Sequence, residues 1–114
     1  MFRIRRSCYR GVNSFEVPTE RTIFAEGHHN FRTEFRKWVD KEVAPFHPDW
    51  EQAKQVPKAI WRRAAELGFL CPQTSARYGG LELDYLYNAI IVEELCRVGA
   101  SGFAMSLHSD IVAP

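Results

Sequence analysis

Hydrophobic positions recur at helical spacing through most of this 114-residue chain, and the first clear run spans Phe24 to Val39. Phe24, Phe31, Phe35, Trp38 and Val39 fall within roughly 100° of one another on a 3.6-residue wheel, while Arg32, Glu34, Arg36, Lys37 and Lys41 lie largely off that stripe. The spacing predicts a long amphipathic helix. Pro45 ends it, because the proline ring clashes with the preceding turn and pushes Ala44 toward extended geometry. Pro48 is expected to keep the next residues from resuming a helix, with Asp49 capping a short turn through Lys54. Pro57 suits the first position of another helix that carries Ile60, Trp61, Ala64 and Leu67 inward, and Gly68 supplies the left-handed residue that stops it, with Phe69 folding back. Cys71 to Leu83, with Pro72, Gly79 and Gly80, has the composition of a loop.

Asp84 is placed to cap a helix from Tyr85 to Val98 that is apolar on nearly every side, and a helix of that kind belongs inside a larger body. Gly99-Ala100-Ser101-Gly102 follows, then Phe103 to Ala113, again apolar, with no cap, charged tail or turn cluster behind it. The chain therefore reads as the front of something longer. In the helix expected to begin near Ser101, Gly102 and Ser106 stack four residues apart, leaving a groove beside Phe103 and Leu107 that suits either close packing of a neighbouring helix or a ligand. No alternating strand of convincing length and no internal repeat is visible, so the fold class is all-α.

Charge and composition narrow the function. The net charge of +1 gives no electrostatic case for nucleic acid, and no stretch of about 18 apolar residues exists to cross a membrane. The basic excess belongs to residues 1–17, where Arg3, Arg5, Arg6 and Arg10 face only Glu16. That leader lacks the apolar core of a secretory signal and is compatible with an organellar transit peptide, a disordered extension or an early start codon. Three cysteines, Cys8, Cys71 and Cys96, form no C-x-x-C pair and suggest neither a disulfide framework nor a thiolate zinc site.

Few polar residues carry chemistry. His28 and His29 are adjacent, so on a helix they point about 100° apart and cannot share one metal. Glu94 falls inside the apolar stripe of its helix, where a desolvated carboxylate serves either as a base or, more simply, as the partner of an arginine on a neighbouring helix. His108-Ser109-Asp110 holds the residue types of a nucleophile triad, but consecutive residues cannot converge as a triad requires.

Taken in order, Arg21-Thr22-Ile23-Phe24, Phe31-Arg32, Glu42-Val43-Ala44-Pro45, Trp50-Glu51, Val56-Pro57 with Trp61, and Ala65-Glu66-Leu67-Gly68-Phe69 form a recognisable series. It continues through Tyr78-Gly79-Gly80, Glu93-Glu94-Leu95, Gly99-Ala100-Ser101-Gly102 and Leu107-His108-Ser109-Asp110-Ile111-Val112-Ala113-Pro114. This series resembles the amino-terminal helical bundle domain of the acyl-CoA dehydrogenase family, and within it the long-chain members. The resemblance covers residues 18–114, incomplete at the carboxy end before the family's middle β-domain, and not the leader 1–17. Ser75-Ala76-Arg77 and Glu82 depart from the family pattern. The resemblance implies an FAD-dependent enzyme that removes two hydrogens across Cα–Cβ of a fatty acyl-CoA and passes electrons to electron-transfer flavoprotein, as a homo-oligomer. It implies a mitochondrial matrix location if the leader is a transit peptide, and the cytoplasm if the chain is bacterial. It also implies that the catalytic carboxylate and most of the flavin site lie outside this chain, so that alone it binds no FAD and has no catalytic residue. Gly102, Phe103, Ser106 and Leu107 are the residues it points to for the acyl tail. The rival reading is a non-enzymatic helical module that docks a partner helix on its apolar face.

Overall fold

A computed structural model describes residues 21–113, so the basic leader lies outside the described residues. Helix α1 spans Glu26–Trp38. It has no side-chain cap at Ala25; instead Nδ1 of His28 accepts the Ala25 N–H at 2.9 Å. The helix then widens into a π-helical turn, Val39–Val43, closed by Ala44 N–H donating to Val39 O at 2.8 Å. Pro45 follows and the helix ends there, but Ala44 is not extended as expected: it stays helical at φ −56°, ψ −43°, held by its bond to Val39 O, and the widened turn carries no signature in the hydrophobic pattern.

Pro48 acts opposite to expectation. Helix α2, His47–Ala53, begins at once, with the proline in its first turn, where a missing N–H costs no intrahelical bond. Asp49 lies inside that turn, and Lys54 ends the helix at φ 55°. Helix α3, Lys58–Glu66, starts after Pro57 and stops at Gly68 (φ 76°), where Phe69 N–H reaches back to Ala64 O at 2.9 Å. Leu67, expected inward, is exposed because it falls where the helix is already unwinding. Helix α4, Tyr85–Arg97, is capped by Asp84, whose Oδ1 accepts Leu86 N–H at 2.8 Å.

Among the described residues there are helices and turns and no strand. Helix α1 packs on α4, and the core is Phe35, Val39, Val43, Phe69, Phe103 and Met105 with their neighbours. Aromatic rings meet edge to face through it: Phe35 with Phe69 at 4.9 Å between centroids, and Trp61 with Phe103 at 4.6 Å.

The loop between α3 and α4 is fastened by its own backbone. Glu82 N–H bonds Thr74 O at 3.0 Å and Leu83 N–H bonds Pro72 O at 3.0 Å, around a 3-10 turn Ala76–Tyr78. Glu82 itself takes φ 51°, an unfavourable conformation for a residue with a Cβ. The two glycines here differ in what they require. Gly79 has φ 84° with open space around it, whereas a Cβ on Gly80 would lie 1.9 Å from Thr74 O. Gly79→Ala should therefore cost about 1 kcal/mol of conformational strain. Gly80→Ala, which must displace backbone, should cost about 3 kcal/mol. Urea unfolding followed by circular dichroism separates the two; equal losses would mean that the Thr74 contact is not what makes Gly80 necessary.

Candidate functional site

The site grows from the end of α4. Gly99, at φ 69°, terminates the helix, and Ala100 N–H returns to Leu95 O at 3.0 Å. The chain then turns tightly, with Ser101 N–H to Gly99 O at 2.9 Å and Phe103 N–H to Ala100 O at 3.1 Å. Phe103 is driven into the core between Trp61, Trp38 and Trp50. Helical structure resumes only at Met105 and becomes a π-helical turn over Leu107–Val112. The helix expected to begin near Ser101 therefore starts later, because burial of Phe103 holds residues 101–104 in a turn. Gly102 and Ser106 do not share a helical face.

Between this segment and α4 is a cavity of about 320 Å³ walled by Val92, Leu95 and Cys96 on one side and by Phe103, Ala104 and Ser106 on the other. Of the four residues singled out from sequence, Phe103 and Ser106 line it. Gly102 faces away, into a second cavity of about 230 Å³ beside His47, Trp50 and Lys54. Leu107 is half exposed and lines neither.

Behind the cavity wall α4 carries the charged centre of the molecule. The Glu94 carboxylate is 2% exposed and accepts hydrogen bonds from Arg36 Nε and Nη2, both at 2.8 Å, from Arg97 Nε at 2.9 Å and from Arg32 Nη1 at 3.0 Å. The Arg36 bonds, joined by those from Arg97 and Arg32, overcome the opposing effect of burial and lower its pKa to about 2. Glu93, bonded by Arg21 and Arg32, is likewise lowered to about 2. Glu94 is thus a structural ion-pair partner of a neighbouring helix and not a base waiting for a proton. Arg32 and Arg36, read from the wheel as outward, are one turn apart and converge on it; their four-residue spacing opposite a buried glutamate was the available signal.

His28 is buried, its Nε2 donating to Asp84 at 2.9 Å, while His29 is exposed. Of the consecutive His108, Ser109 and Asp110, the His108 Nδ1 lies 3.5 Å from Ser109 Oγ, but Asp110 turns to Asn88, so the three form no triad. Ser109 Oγ accepts the Cys71 N–H at 3.1 Å, and Asp110 takes the Asn88 amide at 2.6 Å. Burial pushes the Asp110 carboxyl up, against the pull of the Asn88 bond. Among the described residues no group of three or more His, Cys, Asp or Glu is gathered to hold a metal, and no helix is long and apolar enough to cross a membrane.

Residues 25–114 match the acyl-CoA dehydrogenase N-terminal domain, and the chain belongs to the acyl-CoA dehydrogenase family. Among its relatives, the mitochondrial long-chain specific acyl-CoA dehydrogenase of Rattus norvegicus is 38% identical over 94 residues, covering 82% of this chain and 22% of that protein. The mitochondrial short-chain specific enzyme of Mus musculus is 31% identical over 107 residues, 93% of this chain and 24% of that one. The crystal structure of an acyl-CoA dehydrogenase from Geobacillus kaustophilus superposes with a TM-score of 0.78 at 43% identity, over 83% of this chain and 25% of that one. The chain thus spans about a quarter or less of the relatives it matches.

The ion-pair centre sets the acid behaviour. The folded-state pKa of Glu94 lies below its ordinary value of 4.5, so the unfolded chain takes up protons first as pH falls. Its stabilisation is complete above about pH 4.5 and is lost as pH falls through about 2. Glu94→Gln should cost about 3 kcal/mol at neutral pH, since it leaves guanidinium groups facing each other without their anion. It should also flatten the fall in urea midpoint between pH 5 and 2; a variant with the parent's acid slope would place the pH dependence elsewhere.

Proposed function

We propose that this chain forms the amino-terminal helical part of an FAD-dependent enzyme that dehydrogenates a fatty acyl-CoA between Cα and Cβ, and that it supplies helical packing and part of the seat of the acyl tail. The observation that carries this reading is the apolar cavity of about 320 Å³ between α4 and residues 103–106, in a segment that aligns with the family. Ser106 and Ala104 are small and leave the cavity open, Phe103 anchors its wall in the core, and Gly102 sets the turn behind it. Leu107, half exposed, would meet the tail or the flavin-bearing domains from outside.

The guanidiniums beside the cavity of Arg32 and Arg36 are ion-paired, Arg32 with Glu93 and Glu94 and Arg36 with Glu94. FAD, the catalytic carboxylate, electron-transfer flavoprotein as acceptor and homo-oligomeric assembly belong to the complete enzyme of this proposal. The mitochondrial matrix is its natural place if residues 1–17 direct import, and the cytoplasm if the source is bacterial.

The test is a chimaera in which residues 25–114 replace the matching segment of the Geobacillus enzyme. It should fold with the yellow absorbance of bound flavin and be bleached by a saturated acyl-CoA; a chimaera that binds flavin yet is not reduced by any acyl-CoA would overturn the proposal. In that protein Ser106→Phe should penalise long acyl chains and spare short ones. Each methylene denied burial forfeits about 0.8 kcal/mol, roughly fourfold in kcat/KM. The readout is kcat/KM across saturated chain lengths, and an equal drop at every length would reduce Ser106 to a packing residue.

A further inference from the structure

His47 gave no signal in the sequence, yet it is 5% exposed and grips the turn that separates the two cavities. Its Nε2 accepts the Gly102 N–H at 3.2 Å, across 55 residues of chain. Because Nε2 accepts, the ring proton belongs on Nδ1, and Glu51 Oε1 lies 3.7 Å from that nitrogen, one turn along α2. Trp50 meets the imidazole edge to face at 6.3 Å. The approach is close, since a Cβ on Gly102 would come within 3.1 Å of Nε2.

On the opposite side of the same turn, Gly99, Ala100 and Ser101 contribute to the wall of the 320 Å³ cavity. The start of this turn is fixed by Ala100, which is buried and donates its N–H to Leu95 O at 3.0 Å. The turn contains two glycines, whose backbones are intrinsically free, and its internal hydrogen bonds are the short ones from Ser101 to Gly99 and from Phe103 to Ala100. Phe103 secures its far end in the core, and His47 secures the point between.

We infer that His47 is a positioning residue for the acyl-tail cavity: by holding the Gly102 amide it sets how far the Gly99–Gly102 turn reaches into that cavity, and so how long a tail is accepted. This rests on the acyl-tail reading above. His47 touches no substrate itself; it acts through the backbone.

The test uses the whole chain, labelled with nitrogen-15, and decanoate as the probe. His47→Phe keeps a ring but has no acceptor, whereas in His47→Gln the Oε1 stands near the place of Nε2. Gly102→Ala crowds the same bond from the other side. The Gly102 amide should exchange about fivefold faster in His47→Phe and Gly102→Ala than in the parent, with His47→Gln close to the parent. Decanoate should shift the Ala104 and Ser106 amides in the parent and in His47→Gln, and require about fivefold more ligand in the other two. Equal exchange in all four proteins, or equal decanoate affinity in all four, overturns the role given to His47. A parent that protects Gly102 but shows no shift at any decanoate concentration overturns the specificity role, whereas the acyl-tail reading itself falls only if the flavin-loaded chimaera is reduced by no acyl-CoA, so the two failures are distinguishable.

Discussion

A carboxylate as enclosed as that of Glu94 is tolerated only where cations surround it, and that requirement fixes how α1 lies on α4. Arg32 and Arg36 come from one helix, Arg97 from the next turn of the other, and Asp40 holds Arg97 from the far side. The geometry admits one register: slide α1 by a residue and the two guanidiniums leave the carboxylate while Phe35 and Trp38 leave the core. The apolar contacts supply most of the attraction, and the ion pairs select which apolar contacts form. The cavity at the end of α4 inherits its position from that choice, because Val92, Leu95 and Cys96 are carried on the same helix as Glu93 and Glu94.

Where a helix is governed by a local rule, the sequence announces it. Asp84 as a cap, Gly68 as a stop with Phe69 folding back, and the stripe of Phe35, Trp38 and Val39 all rest on residues close in the chain, and each appears as expected. The failures have a different origin. Pro48 reads as a helix breaker, but it stands in the first turn of α2, beside the buried His47, where a proline is tolerated. A helix is expected from near Ser101, and the pull of Phe103 into a pocket of three tryptophans delays it to Met105.

The candidate site was legible in the same partial way. Glu94 was readable as an ion-pair partner because its position contradicts its helix face, whereas its partners looked like surface arginines. Phe103 and Ser106 reached the cavity wall, but Gly102 went to the other side of the turn because a histidine 55 residues away takes its amide. Nothing local to Gly102 encodes that contact. The family resemblance, by contrast, depends on order and spacing along the whole chain, and it survived these local misplacements intact.

The widened turn at Val39–Val43 means that this stretch of helix contains one residue more than regular winding would need. Val39 and Val43 at its ends are both fully buried, while Asp40 and Lys41 between them are exposed. The surplus is thus carried on the solvent side, with the two core valines as fixed points. A homologous chain shorter by one residue here can wind the same span as ordinary α-helix without disturbing either anchor, so an alignment gap at this place is a change of helical pitch and not a change of fold.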